Sequence, residues 1–199
     1  MPLRVTRTQT NVAEKGQVAR RRLPRGPRVY LRVPTSRDRA EFVALSLASA
    51  SSYRGLASPL STARAFAAYV ERCRRPDYLG MLVCRREDDQ IVGSVNLSQI
   101  VRGTFQSAYM GYQVFQPFAR QRYMTDAMTL VLRVTFARLR LHRVEANVQP
   151  TNVASIALVK HAGFVKEGYS PRYLKIGGRW RDHERWAITA ERWAAQRTS

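Results

Sequence analysis

Two short stretches hold the residues whose types and spacing suit chemistry. The first is Asn147-Val-Gln-Pro-Thr-Asn-Val-Ala-Ser-Ile-Ala-Leu-Val-Lys-His-Ala-Gly-Phe164. Asn152 is placed to cap a short helix, its side-chain oxygen accepting from a free N–H of the first turn. Gly163 is placed to end that helix, because it takes the left-handed conformation without a Cβ clash. The second stretch is Gln116-Pro-Phe-Ala-Arg-Gln-Arg-Tyr-Met-Thr-Asp-Ala-Met128, a loop that feeds a helix. Unpaired N–H groups and the helix dipole favour an anion at such an end, and the loop 117–124 is the place in the chain with that architecture. Arg120 and Arg122 add guanidiniums that can grip phosphate oxygens. The chemistry implied is the holding of a pyrophosphate-bearing ligand.

Other chemistries lack their residues. No serine-hydrolase elbow and no zinc-ligand spacing is present. Cys73 and Cys84 have neither metal nor redox spacing and read as free buried thiols of a cytosolic protein. His142 and His161 have no partner visible in the sequence and read as structural, His161 at a helix end where a cation suits the dipole.

The elements that must position these stretches alternate along the chain. Val29 to Val33 alternates as a first strand. Thr35, Ser36 and Asp38 supply start chemistry for a helix over 37–50, with Phe42, Leu45 and Leu47 on its core face. After a Ser/Gly/Pro-rich loop over 51–61, a second helix over 61–74 carries Phe66, Tyr69, Val70 and Cys73 at helical spacing. Strands over 78–85, 91–100 and 105–115 follow as an antiparallel meander, turning at Asp88-Asp89 and at Arg102-Gly103. Gly93 inside a strand signals a bulge or a close backbone approach. A helix over 124–140 has an apolar stripe of Met128, Val131, Thr135 and Leu139. A strand over 141–147 leads into the Asn152 helix. The runs 164–176 and 179–188 form a hairpin around Gly177-Gly178.

The chain has 199 residues and is 45% hydrophobic, enough for one domain with a sizeable core. No stretch approaches the roughly 18 apolar residues of a membrane span. The net charge of +20, from 34 Lys+Arg against 14 Asp+Glu, suits an acidic partner such as ribosomal RNA. An Arg-rich composition spread along the whole chain accounts for it equally well. Residues 1–27 read as a basic arm, 28–190 as the folded domain and 191–199 as a C-terminal tail.

The strand, capped helix, Gly and Phe unit, with Asn152 and Ser155 as an Asn-x-x-Ser pair, resembles the second half of the cofactor site in the GNAT superfamily of N-acetyltransferases. The likeness runs from about Val29 to Ile188 and is closest to the RimJ/RimL branch, whose C-terminal pattern is similar to Tyr-Leu-Lys-Ile-Gly-Gly-Arg-Trp-Arg-Asp-His at 173–183. It implies a mixed α/β fold with a bent, mostly antiparallel sheet, a splayed central strand pair and about four helices. It implies acetyl-CoA as cosubstrate and no metal. By this likeness Val114 and Phe115 line the pantetheine arm through backbone atoms. Arg120, Gln121, Arg122, Tyr123, Met124 and Thr125 form the pyrophosphate loop, and Asn152 and Ser155 lie beside the thioester. Ser155 is the candidate donor to the leaving thiolate. Glu145 and Tyr173 are candidates for base and acid, and Tyr53, Arg54 and Tyr173 for acceptor contacts. Asp182 and His183 read as supports of the hairpin or peptide groove. The loop departs from the family pattern Arg/Gln-x-x-Gly-x-Gly/Ala, with Ala119, Arg122 and Met124 at the aligned positions. Losing a Gly can obstruct close backbone approach.

The branch implies transfer to a protein N-terminal α-amine, alanine among the candidates, on a ribosomal protein in the cytoplasm. An α-amine has a pKa near 8, so the base needs little strength. Two other readings stay open. One is acetylation of a small-molecule amine, against which the positive charge argues mildly. The other is a ribosome- or RNA-binding protein on a GNAT fold that no longer catalyses.

Overall fold

The computed structural model describes residues 23–56 and 60–197. Most of the arm expected at 1–27 lies outside the described residues. Residues 23–27 belong to the fold: the Leu31 N–H donates to the Pro24 carbonyl at 3.1 Å, and the Arg25 guanidinium lies 4.6 Å from the Tyr30 ring centroid.

Seven strands are present: β1 (Val29–Arg32), β2 (Leu79–Arg85), β3 (Ile91–Val101), β4 (Ser107–Val114), β5 (Arg143–Val148), β6 (Val165–Ile176) and β7 (Arg179–Thr189). Five α-helices accompany them: α1 (Arg39–Ala48), α2 (Ala63–Arg72), α3 (Tyr123–Arg133), α4 (Val153–His161) and α5 (Ala190–Ala195). The sheet order is β1-β2-β3-β4-β5-β7-β6. Every neighbouring pair is antiparallel except β4 with β5. That parallel pair is joined only from Ser107↔Arg143 to Tyr109↔Glu145. Beyond it β4 stays with β3 as far as Val114, while β5 stays with β7 as far as Val148. The two strands therefore diverge, and each turns an unpaired inner edge toward the gap.

Aromatic packing fixes where the divergent end sits. Phe42 of α1 packs 5.0 Å from Phe66 of α2 and 5.1 Å from Phe115 at the end of β4, centroid to centroid. All three are buried, and each such burial is worth about 1.5–3 kcal/mol. Gly93 sits at a β2–β3 register shift, and a Cβ there would lie 2.4 Å from the Gln113 carbonyl oxygen. Both readings of that Gly are thus met in one place.

The structure differs from expectation at several elements. Helix α1 begins with a 3-10 turn at Ser36–Asp38 and buries Phe42, Ser46 and Ser49, whereas Leu47 is 57% exposed. The core face follows the 3.6-residue period, and two serines occupy it. The Ser49 hydroxyl donates to the Leu45 carbonyl at 2.7 Å and accepts from the Gln116 N–H at 2.9 Å, which ties α1 to the loop after β4. Helix α3 passes into a π-helical turn over Val134–Arg138, closed by the Leu139 N–H on the Val134 carbonyl at 2.8 Å. β4 starts two residues late, leaving Phe105 61% exposed in the turn. Most of the expected C-terminal tail forms helix α5, capped by the Thr189 hydroxyl. It docks through Trp193, 5.3 Å from Phe136, and through Arg192 Nε on the Gly163 carbonyl at 2.7 Å. Gly163 does end α4 at φ +88°, where a Cβ would collide with Gln196.

Candidate active site

The loop before α3 solves the problem posed by its arginines with strain. Arg120 and Arg122 both take positive φ, 62° and 63°. A non-Gly residue held there costs roughly 1–3 kcal/mol. The neighbours hold it in place: Arg28 Nε bonds Asp126 at 2.7 Å, Arg28 also bonds the Gln121 carbonyl at 3.2 Å, and Gln121 Nε2 bonds the Pro117 carbonyl at 3.0 Å. Phe118 anchors the loop in the core. Consequently the backbone N–H groups of residues 120–125 have no acceptor among the described residues. The array of donors that a glycine loop provides is present with two guanidiniums added.

The gap between β4 and β5 opens into a cavity of about 940 Å³ that runs from this loop to the α1–α2 loop. Ser155 enters it from the first turn of α4. Its N–H bonds the Asn152 cap at 3.1 Å and its carbonyl accepts from the Tyr112 hydroxyl at 3.4 Å. Its own hydroxyl is within hydrogen-bond reach of the Tyr112 phenol as well. The α1–α2 loop is clasped across the gap from both sides. The Tyr53 hydroxyl donates to the Val114 carbonyl on β4, and Gln149 Nε2, just past β5, donates to the carbonyls of Gly55 and Leu56 at 2.9 and 3.3 Å. Burial pushes the Tyr53 phenol up to about 12, so it remains a proton-bearing donor at neutral pH. Among the described residues no Asp or Glu lines the cavity, while Arg72, Arg120 and Arg122 do.

The sequence profile described as "Acetyltransferase (GNAT) domain" matches residues 28–165. The chain belongs to the GNAT acetyltransferase family. It is 38% identical over 120 residues to the Bacillus subtilis "Probable N-acetyltransferase YjcK", covering 60% of this chain and 66% of that protein. It is 38% identical over 111 residues to the Escherichia coli [Ribosomal protein uS5]-alanine N-acetyltransferase, covering 56% and 57%. The match thus spans less than two thirds of these relatives. The structure of Mycobacterium smegmatis RimJ in complex with CoA-disulfide superposes with a TM-score of 0.74 at 29% identity, covering 83% of this chain and 87% of that one.

Of the residues expected at a GNAT site, Tyr53, Val114, Arg120, Arg122, Tyr123, Met124, Thr125, Asn152 and Ser155 line the one cavity. The others lie elsewhere. Phe115 is fully buried and its N–H is taken by the Val92 carbonyl at 2.9 Å, so neither side chain nor donor faces the gap. Gln121 braces the loop from outside, and Arg54 is exposed beside Tyr53. Glu145 points away from the cavity and is paired with Arg143 Nε at 2.9 Å. It does not line the cavity, because it sits in the paired β4–β5 seam opposite Tyr109, before the strands diverge. Tyr173 is not in the lining; its ring is 6.2 Å from that of His183 and it hydrogen-bonds Tyr109. Asp182 accepts from the Tyr169 hydroxyl at 2.5 Å and the Arg172 N–H at 2.7 Å, holding the irregular part of β6 as the hairpin support it was read to be.

Four positions escaped the sequence reading: Arg28, Ser49, Gln149 and Asn147. Arg28 lies 93 residues from the loop it braces, and nothing in local spacing marks it. Asn147 lines the cavity with a buried Oδ1 that lacks a partner.

Proposed function

We propose that this chain is an acetyl-CoA-dependent N-acetyltransferase acting by direct transfer to a protein N-terminal α-amine, in the cytoplasm, with a ribosomal protein as the acceptor. The observation that carries it is one cavity joining an N–H-rich, Arg-flanked helix start to Ser155, between two splayed strands. The residues fit the cosubstrate. The N–H groups of residues 120–125 with Arg120 and Arg122 suit its pyrophosphate, and the inner edge of β4 suits the amides of its arm. The cosubstrate supplies an activated acetyl group. Ser155 donates to the sulfur as negative charge develops there.

The lining supports this acceptor class. A polyamine carries several positive charges and needs carboxylates to hold it, and none lines the cavity among the described residues. An α-amine with a pKa near 8 enters neutral in useful proportion and suits an Arg-bearing wall. The named activity of the Escherichia coli relative supports a ribosomal N-terminus as the first acceptor to try.

The test is thermal stability with acetyl-CoA, followed by turnover of a peptide with a free N-terminal alanine. At about 100 times the dissociation constant, ligand linkage gives roughly 2.7 kcal/mol of stabilisation. An upward shift with peptide-dependent release of thiol is expected. No shift at millimolar acetyl-CoA, together with salt-sensitive RNA binding, would replace this reading with that of a non-catalytic RNA-binding GNAT fold.

A further inference from the structure

We propose that His183 is the general base that takes the proton from the acceptor amine. This rests on the acetyltransferase reading above and names the group that reading lacks. His183 lies on β7 and is 3% exposed, yet it lines the cavity at the divergent end of the sheet. Its Nδ1 sits 2.9 Å from the Arg181 carbonyl oxygen. A carbonyl can only accept, so Nδ1 carries the proton and donates. In the neutral ring Nε2 therefore holds a lone pair. Nε2 has no partner among the described residues and is not among the sealed-off, unsatisfied polar atoms. A buried ring whose free nitrogen is neither bonded nor sealed presents that nitrogen to the cavity it lines.

Elimination points the same way. With Glu145 turned outward onto Arg143, no carboxylate lines the cavity among the described residues. Of the five tyrosines that line it, burial pushes Tyr53, Tyr78 and Tyr112 up to about 12 and holds Tyr69 well above its ordinary value, so these four stay protonated at neutral pH. His161 is the other imidazole in the lining, but it ends α4 and also borders the separate crevice lined by Thr125, Met128 and Trp193. The charged and titratable groups around His183 are Arg181 and Asp182 on its own strand and Tyr173 on β6. Asp182 is occupied by Tyr169 and the Arg172 N–H, and Tyr173 hydrogen-bonds Tyr109. Tyr53 from the α1–α2 loop shares the cavity wall.

The step balances. The amine nitrogen forms the N–C bond to the acetyl carbon as the C–S bond breaks. The proton leaving nitrogen passes to His183 Nε2, and the electron pair goes to sulfur, where the Ser155 hydroxyl stabilises it. Proton return from the imidazolium to the departing thiolate, directly or through water, restores the neutral ring.

Two measurements decide it. In the first, kcat of wild type and His183→Gln is followed against pH with saturating acetyl-CoA and a peptide bearing a free N-terminal alanine. The expected result is a loss of about 10²-fold in kcat, an unchanged acetyl-CoA-induced thermal shift, and an acid limb that falls from two proton uptakes in wild type to one in the variant. Equal kcat and an unchanged limb, with wild type active, overturn the role of His183 and leave the acetyltransferase reading standing. An inactive wild type overturns that reading instead. The second measurement works without turnover: ¹⁵N-histidine spectra of the wild-type chain at neutral pH. A proton on Nδ1 with a bare Nε2 supports the assignment, and a proton fixed on Nε2 overturns it.

Discussion

At the scale of single residues, Arg122 does two opposed things. Its backbone sits at φ +63° as the N-cap of α3, where glycine rests without strain, while its side chain lines the ligand cavity. Replacing it with glycine separates the two. Arg122→Gly is expected to raise the stability of the ligand-free chain by about 1 kcal/mol, the relief of strain less the extra chain entropy of glycine. It is also expected to weaken acetyl-CoA about tenfold, the loss of a charge-assisted hydrogen bond. Denaturant midpoints and calorimetric titration read the two effects apart, and no change in affinity would mean that the guanidinium is merely solvated. Asn152 was legible in the sequence because a cap acts within three residues. His183 was not, because its significance depends on which face of β7 meets a cavity built by strands far away in the chain, and its neighbour Asp182 suggested a structural pair.

At the scale of elements, the start of α1 depends on one carboxylate. Burial raises the Asp38 carboxyl, but the Arg32 guanidinium at 2.7 Å and the Thr35 N–H at 2.7 Å outweigh burial and hold it below its ordinary range. A lowered carboxylate stabilises the fold above its unfolded pKa near 4 and stops doing so as pH falls through the lowered value. Asp38→Asn should therefore cost about 2 kcal/mol at pH 7, and the gap from wild type should narrow progressively in acid below pH 4. A gap of constant size from pH 7 to pH 2.5 would show that packing rather than charge is lost. The elements themselves were largely readable because caps, Gly-Gly and Arg-Gly turns and apolar periods are local signals. The misread positions are those where tertiary contacts decide. Ser46 and Ser49 rather than Leu47 face the core, and Ala190–Ala195 form a helix because Gly163, Phe136 and the π-turn region give it a surface to dock on.

At the scale of the whole molecule, the chain order of strands and helices was legible, and so was the pairing of an anion loop with an Asn-x-x-Ser helix. The closure of the cavity was not. It depends on the α1–α2 loop being held from both sides of the gap, Tyr53 reaching from the loop to β4 and Gln149 reaching to the loop from just past β5, a relation with no counterpart in sequence spacing. The charge of +20 acts at this scale as well, yet among the described residues the cavity wall expresses it only through three arginines. The three-pair junction of β4 with β5 has a mechanical meaning. The sheet is two rafts, β1–β4 and β5–β7, hinged on a short seam, and a ligand that bonds both inner edges works as a wedge locking the hinge. Amide hydrogen exchange should show the residues flanking the gap, 110–114 and 146–149, slowed together by acetyl-CoA. The seam at 107–109 and 143–145 should already be slow without it. Protection on one raft alone would show that the wedge holds only one side.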